Sequence, residues 1–416
     1  MTRSRSATYL ALTIALLNAA MLPAKGDEVG VSDDAILFGQ AAALEGPSSA
    51  LGQRMRQGIV AAFNEINGKG GVHGRKLQLI SRDDGYDPDR SVAQTLRLIE
   101  DDRVFALIGA VGTPTAIATI PITSARNVPF IGPFTGAEFL RDLELPNVVN
   151  IRASYGAEAE AWIKHLTEDR RFTRIGIFYQ DDSFGRDGLV GVKRALARRG
   201  LELAAEGTFE RNTRAVASAW RMIKRAEPEA IVMVGTYGPC AEFIKLAHRS
   251  GASPTFVNIS FVGANALARE LGPDGEGVIV SQVVPFPWDR SLKLVADYQA
   301  AQTAFDPTLT PDFVSLEGYL SGRLAAAALE KAGPKPTREP PARHQRRRPL
   351  RHQRQRRHRR HAHDRRPAEG VPDGDPEGRD IQGGGPAVGR AVLAAASDQT
   401  SCRSPGRREV CCRDRR

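Results

Sequence analysis

The chain has 416 residues, 41% hydrophobic and 25% charged, which allows about two or three domains and excludes a polytopic membrane protein or a wholly disordered chain. Its net charge of +10 would point to a polyanionic partner, but 21 Arg, no Lys and 10 acids lie from Arg338 onward, leaving 37 basic and 38 acidic side chains before it. The excess belongs to one tail and is silent about what the body binds.

At the start, Met1-Thr-Arg-Ser-Arg precedes a mostly apolar run over residues 7–22 and then Pro23-Ala24-Lys25-Gly26. A basic start, an apolar stretch and a small residue predict a secretory signal peptide over residues 1–24, and hence a periplasmic protein. A membrane anchor is the competing reading; it needs about 20 apolar residues, and Thr13 and Asn18 interrupt this run. Of the cysteines, only Cys240 precedes the tail, so the body has neither an internal disulfide nor a cysteine metal cluster to stabilise it.

The body alternates short apolar runs with helical periodicity. Strands are predicted at Ala35-Ile-Leu-Phe-Gly-Gln, Leu77-Gln-Leu-Ile, Val104-Phe-Ala-Leu-Ile-Gly, Pro129-Phe-Ile-Gly and Val148-Val-Asn-Ile, with helices over 52–67 and 90–101. A second series follows: strands at Arg174-Ile-Gly-Ile-Phe-Tyr, Ala230-Ile-Val-Met-Val-Gly, Thr255-Phe-Val-Asn and Gly277-Val-Ile-Val-Ser, with helices over 186–199 and 241–248. Two such series imply an α/β protein of two doubly wound, Rossmann-like lobes. The last helix, 311–332, has no strands of its own and is expected to return to the first lobe. The expected division is 33–150 with 283–337, and 151–282, joined by a hinge over a cleft. Ligands bind where strand carboxyl ends face such a cleft.

At those ends, Gly109-Ala-Val-Gly-Thr113-Pro114-Thr115 reads as a Thr113 N-cap with Pro114 in the first turn. With its free N–H groups this turn, which includes Thr115, suits a small carboxylate. Phe134-Thr135-Gly136-Ala137-Glu138 reads as a Thr-x-x-Glu capping box on the same edge. The bland alternative is that both threonines merely cap helices. In the second lobe, the loops carrying Asp181, Asp182, Ser183 and Phe184, and Thr236 with Tyr237, could face an ammonium and an apolar side chain, or be ordinary turns. Gly68-Lys69-Gly70-Gly71 lacks the spacing of a phosphate loop, and no catalytic signature occurs. Asp83-Asp84 and Asp181-Asp182 are expected to be solvated pairs rather than metal ligands. No enzyme, cofactor or metal is expected.

These residues then carry a family likeness. Ala61-Ala-Phe-Asn-Glu-Ile-Asn-Gly-Lys-Gly-Gly-Val-His-Gly-Arg-Lys-Leu, Leu107-Ile-Gly-Ala-Val-Gly-Thr-Pro-Thr, Ile175-Gly-Ile-Phe-Tyr-Gln-Asp-Asp-Ser-Phe-Gly and Leu316-Glu-Gly-Tyr-Leu-Ser-Gly-Arg resemble, in order, motifs of leucine/isoleucine/valine-type periplasmic binding proteins. The likeness covers roughly residues 33–337. It implies a type I venus-flytrap fold that captures an amino acid or related carboxylate and delivers it to an ABC-importer permease, as a monomer. By that likeness Thr113 stands at the ligand carboxylate, Phe134 to Gly136 in the second ligand loop, and Phe184 and Tyr237 at aromatic positions. The family's ammonium-binding glutamate falls at Ser260, which carries no charge, and Gly112 replaces a half-cystine of some members.

Competing classes are a ligand-sensing regulator or receptor domain on the same fold, a defective binding protein, and a nucleic-acid binder acting through the tail. The last is disfavoured because the tail has no Phe, Tyr or Trp to stack on bases. The tail's composition cannot bury a core, so it is expected to be disordered and translated out of frame from about Glu339. The stretch from Pro372 to Gly383, in degenerate codons read one base later, permits a hydrophobic run and an Asp-Gly turn resembling the family's closing strand.

Overall fold

The structure, a computed structural model, describes residues 28–338. Residues 1–27 and 339–416, and with them the signal-peptide and out-of-frame readings, lie outside it. Arg338 is within it, its guanidinium donating to the Phe105 carbonyl at 3.0 Å and also to that of Val104, so this residue anchors to the body rather than opening the tail.

β1 (Ala35–Ala42) is buried along nearly its whole length, as a strand covered on both faces must be. It pairs in parallel with β2 (Lys76–Asp83) and β3 (Ala106–Ile108). β4 (Phe130–Ile131) and β5 (Val148–Val149) complete the sheet in the order β2-β1-β3-β4-β5. Its helices are α1 (Ser49–Gly68), α2 (Pro88–Glu100) and α3 (Thr113–Ala125). After α4 (Tyr155–Lys164) come β6 (Ile175–Gln180), α5 (Ser183–Ala197), β7 (Ala205–Phe209), α6 (Ala217–Lys224), β8 (Ala230–Val234), α7 (Tyr237–Arg249), β9 (Thr255–Asn258), α8 (Ala264–Leu271) and β10 (Ile279–Val280). The second sheet runs β10-β9-β8-β6-β7, all parallel. Both sheets therefore share one doubly wound order. Each has its switch point between its first and third strands, β1/β3 and β6/β8, where ligands bind.

α9 (Lys293–Phe305) and α10 (Phe313–Ala332) close the described chain. α9 escaped the sequence reading because small residues space its buried side chains Val295, Tyr298, Ala301 and Gln302. α10 lies directly on α1. A Cβ on Gly58 would stand 1.8 Å from the Ser315 carbonyl oxygen, and one on Gly318 2.2 Å from that of Met55. Only glycine lets the two backbones approach this closely.

Candidate functional site

The loops at the carboxyl ends of the two sheets meet along one seam. After β3, Gly112 rather than Thr113 takes the N-cap position of α3, at φ +107°. Thr113 is the first helical residue, and its hydroxyl leaves its own helix to hydrogen bond with that of Thr135 at 2.7 Å. Thr135 also bonds the Tyr155 hydroxyl at 3.2 Å and accepts from the Ala137 N–H at 3.2 Å. So occupied, it forms no capping box with Glu138. A short 3-10 turn, Glu138–Arg141, follows instead, and the Glu138 N–H donates to Asp187 of α5 at 3.0 Å. Gly136 packs on Tyr155, whose Cδ1 would lie 2.6 Å from an added Cβ. Burial pushes the Tyr155 phenol up to about 12, against the pull of the Arg152 charge.

Thr115 parts from this group. Its hydroxyl donates to the Val111 carbonyl at 2.5 Å and the Gly112 carbonyl at 3.0 Å, and it faces a small cavity with Asp84, Ser91, Thr95 and Thr119. Asp84 is likewise not the solvated residue expected. It is fully buried, accepts from Ser91 at 2.7 Å and the Tyr86 N–H at 2.9 Å, and burial pushes its carboxyl up to about 6. Asp83 ties down the 44–45 loop, accepting from the Leu44 and Glu45 N–H groups at 2.9 Å each. Gly112 is small because Tyr86 fills the adjoining space: a Cβ there would meet the ring at 2.3 Å.

From the second lobe, Phe184 enters on the first turn of α5, where Asp182 caps its N–H at 2.9 Å. Its ring centroid lies 5.4 Å from Tyr155 and 4.6 Å from Phe261. Phe261 in turn sits 5.1 Å from Phe134 and 6.1 Å from Tyr86, so one ring from the second lobe is wedged between two from the first. Gln180, at the end of β6, donates to the Tyr86 hydroxyl at 3.2 Å. At the far end of the seam, the Tyr237 hydroxyl accepts from the Ala50 N–H at 3.4 Å.

Ser260 sits in a charged pocket. Its hydroxyl accepts from the Arg152 guanidinium and donates to Glu158 at 2.9 Å, while its N–H donates to Glu158 at 3.0 Å. Ser281 adds a third bond to Glu158 at 2.6 Å. Arg152 stacks 4.6 Å over the Phe134 ring and lies 3.4 Å from Glu317; its Nε and Nη1 have no hydrogen-bond partner among the described residues. A position expected to be merely uncharged is thus held between a cation and an anion.

Thr113, Phe134, Thr135, Gly136, Phe184, Tyr237 and Ser260 therefore line one buried seam between the lobes, and Thr115 does not. Sequence reasoning missed Tyr86, Arg152, Tyr155, Glu158 and Phe261. The available signal was position: Tyr86 ends the loop after β2, Phe261 follows Ser260 after β9, and Arg152 and Tyr155 occupy the segment joining the sheets. No group of three or more His, Cys, Asp or Glu suited to a metal occurs among the described residues.

The periplasmic binding protein family model matches residues 35–363. A Leu/Ile/Val-binding protein homolog 7 from Brucella abortus is 25% identical over 345 residues, covering 77% of this chain and 82% of its own. A leucine-, isoleucine-, valine-, threonine- and alanine-binding protein from Pseudomonas aeruginosa is 23% identical over 325 residues, covering 76% and 84%. Among solved structures, a possible leucine/isoleucine/valine-binding protein from Rhodopirellula baltica superposes with a TM-score of 0.70 at 40% identity, covering 73% of this chain and 84% of that one.

Proposed function

Because this chain belongs to the periplasmic binding protein family, of the leucine/isoleucine/valine type, we propose that it is the extracytoplasmic solute-binding component of an ABC importer. It captures a small carboxylate-bearing solute between its lobes and presents it to a membrane permease. The observation that carries this reading is the Thr113–Thr135 hydroxyl pair at the start of α3, where helix N–H groups favour an anion. It opens onto rings from both lobes, so a solute there is held from both sides.

The curated relatives are named for leucine, isoleucine and valine, one of them also for threonine and alanine. Here Ser260 lies between the Arg152 guanidinium and the Glu158 carboxylate, so the position where the family places a free glutamate for the ammonium is taken up by an internal pair. The reading is accordingly a carboxylate solute, with α-amino acids as one class to be tested. A thermal-shift screen of the purified chain against amino acids, short-chain carboxylates and aromatic acids should find a stabilising ligand. Calorimetry then gives its affinity. If none of these classes shifts the transition, the carboxylate assignment is wrong.

A further inference from the structure

The seam has a second polar end that the reading above leaves without a task. Ser48 stands at the N-cap of α1, a helix of 20 residues, yet makes no side-chain cap bond. It is 1% exposed, and its hydroxyl has no hydrogen-bond partner among the described residues. A buried, unpaired hydroxyl is costly and marks a position made for a partner.

Three helix N-termini gather around it. The Ala50 N–H in the first turn of α1 meets the hydroxyl of Tyr237, the first residue of α7, at 3.4 Å, longer than a well-formed bond. Thr236, the N-cap of α7, makes no side-chain cap bond either. Gly263, the N-cap of α8 at φ +78°, stands against both: a Cβ there would be 2.6 Å from Leu51 Cδ2 and 3.9 Å from Tyr237 Cδ1. Each N-terminus carries a partial positive charge. Arg214 borders the first turn of α7 beside Gly238. Its acidic neighbour Glu270 is engaged with it at 2.7 Å. At the opposite end, the starts of α3 at Thr113, α4 at Tyr155 and α5 at Phe184 converge in the same way. Phe134 at the first end stands 5.1 Å from Phe261, which lies two residues before Gly263 and hence before the Leu51 contact at the second end.

From these two positive poles joined by an apolar wall, we propose that the cleft takes a dicarboxylate. One carboxylate lies at the Thr113–Thr135 pole. The other lies at Ser48 and the converging starts of α1, α7 and α8. The hydrocarbon between them rests on Phe134, Phe261 and Leu51. The inference rests on the cleft being a carboxylate-solute site and names the class of solute.

The test is calorimetry of the full chain with straight-chain dicarboxylates from succinate to suberate, each beside the monocarboxylate of equal carbon number. One dicarboxylate should bind at least tenfold more tightly than its monocarboxylate. Ser48→Ala should weaken that dicarboxylate about tenfold to a hundredfold, the loss of one charge-assisted hydrogen bond, and leave the monocarboxylate within twofold. Ser48→Thr, which keeps the hydroxyl, should restore the preference, and equal melting temperatures would show that the variants fold. Equal binding of the two acids overturns the proposal, as does a Ser48→Ala loss shared by both. A chain that binds leucine or a monocarboxylate but no dicarboxylate keeps its solute-binding role and loses this inference. A chain that binds none of these probes loses both.

Discussion

Arg152 and Glu317 face one another at 3.4 Å with side chains only 1% and 2% exposed. Glu317 belongs to α10, packed on α1 of the first sheet, whereas Arg152 reaches on to Ser260 beyond β9 of the second. The pair therefore joins the two lobes from inside.

Burial lifts the Glu317 carboxyl from 4.5 to about 7, with Arg152 pulling it down and Glu158 pushing it further up. The folded protein then keeps a proton that the unfolded chain releases between these values. Stability accordingly falls as pH rises through that window. Glu317→Gln should flatten the loss between pH 5 and pH 8 by on the order of 2–3 kcal/mol. Asp84→Asn should flatten it further, since burial raises that carboxyl to about 6. Urea unfolding at the two pH values measures the slope; an unchanged slope in Glu317→Gln would refute the proton assignment.

Thr113 and Thr115 differ by two positions and should differ in kind. Thr113→Val removes a hydroxyl facing the seam and should cost roughly tenfold to a hundredfold in affinity, about 1.5–3 kcal/mol for a charge-assisted bond. Thr115→Val removes bonds to the Val111 and Gly112 carbonyls. It should lower stability by about 1 kcal/mol with affinity unchanged. Calorimetry and melting curves on both variants separate the roles. Equal affinities in Thr113→Val and the parent would end the anchoring assignment.

Gly112→Ala should destabilise by about 2 kcal/mol or more, because it strains a position at φ +107° and drives a Cβ into the Tyr86 ring. Combining it with Tyr86→Ala should cost less than the sum of the single changes, since the obstructing ring is then gone. Strict additivity in denaturant unfolding would show that the two residues do not share this space.

The central strands of the first 290 residues were readable because parallel strands are apolar on both faces, whereas the half-buried edge strand β7 and the helix α6 after it were missed. The runs at Val104 and Ala230 could hardly be anything else. The site was half readable. Thr113, Thr135 and Phe184 announce themselves as polar or aromatic residues just beyond such strands. Their roles did not follow, because Thr113 turns out to pair with a residue 22 positions away instead of capping its own helix. Tyr86 and Asp84 were hidden because a loop sequence rich in Asp and Gly looks solvated until tertiary packing covers it, with Ser91 of its own lobe over Asp84 and Gln180 and Phe261 of the other lobe over Tyr86. Arg152 looks like any surface arginine in sequence, and only its distant partners Ser260 and Glu317 give it a role.

The stretch from Glu339 onward lies outside the described residues, so its reading is tested at the gene. Resequencing should find a single-base insertion or deletion near the codon for Glu339, with the alternative frame continuing the family pattern. Tail peptides identified by mass spectrometry from a confirmed frame would overturn this.

The packing of α10 on α1 also sets an order of events during folding. Every strand of the second sheet comes from the uninterrupted stretch 175–280, so that sheet can assemble from neighbouring segments. The first sheet's covering layer is completed only when residues from far along the chain arrive, as in the bond from Tyr319 to Glu65, 254 positions apart. Closing so long a loop carries a large entropic cost before any contact rewards it. Until then the glycine-lined faces of α1 at Gly58 and of α10 at Gly318 stand open to water. Any chain halted before about residue 313 would keep α1's face bare, a ready surface for chaperones and for aggregation.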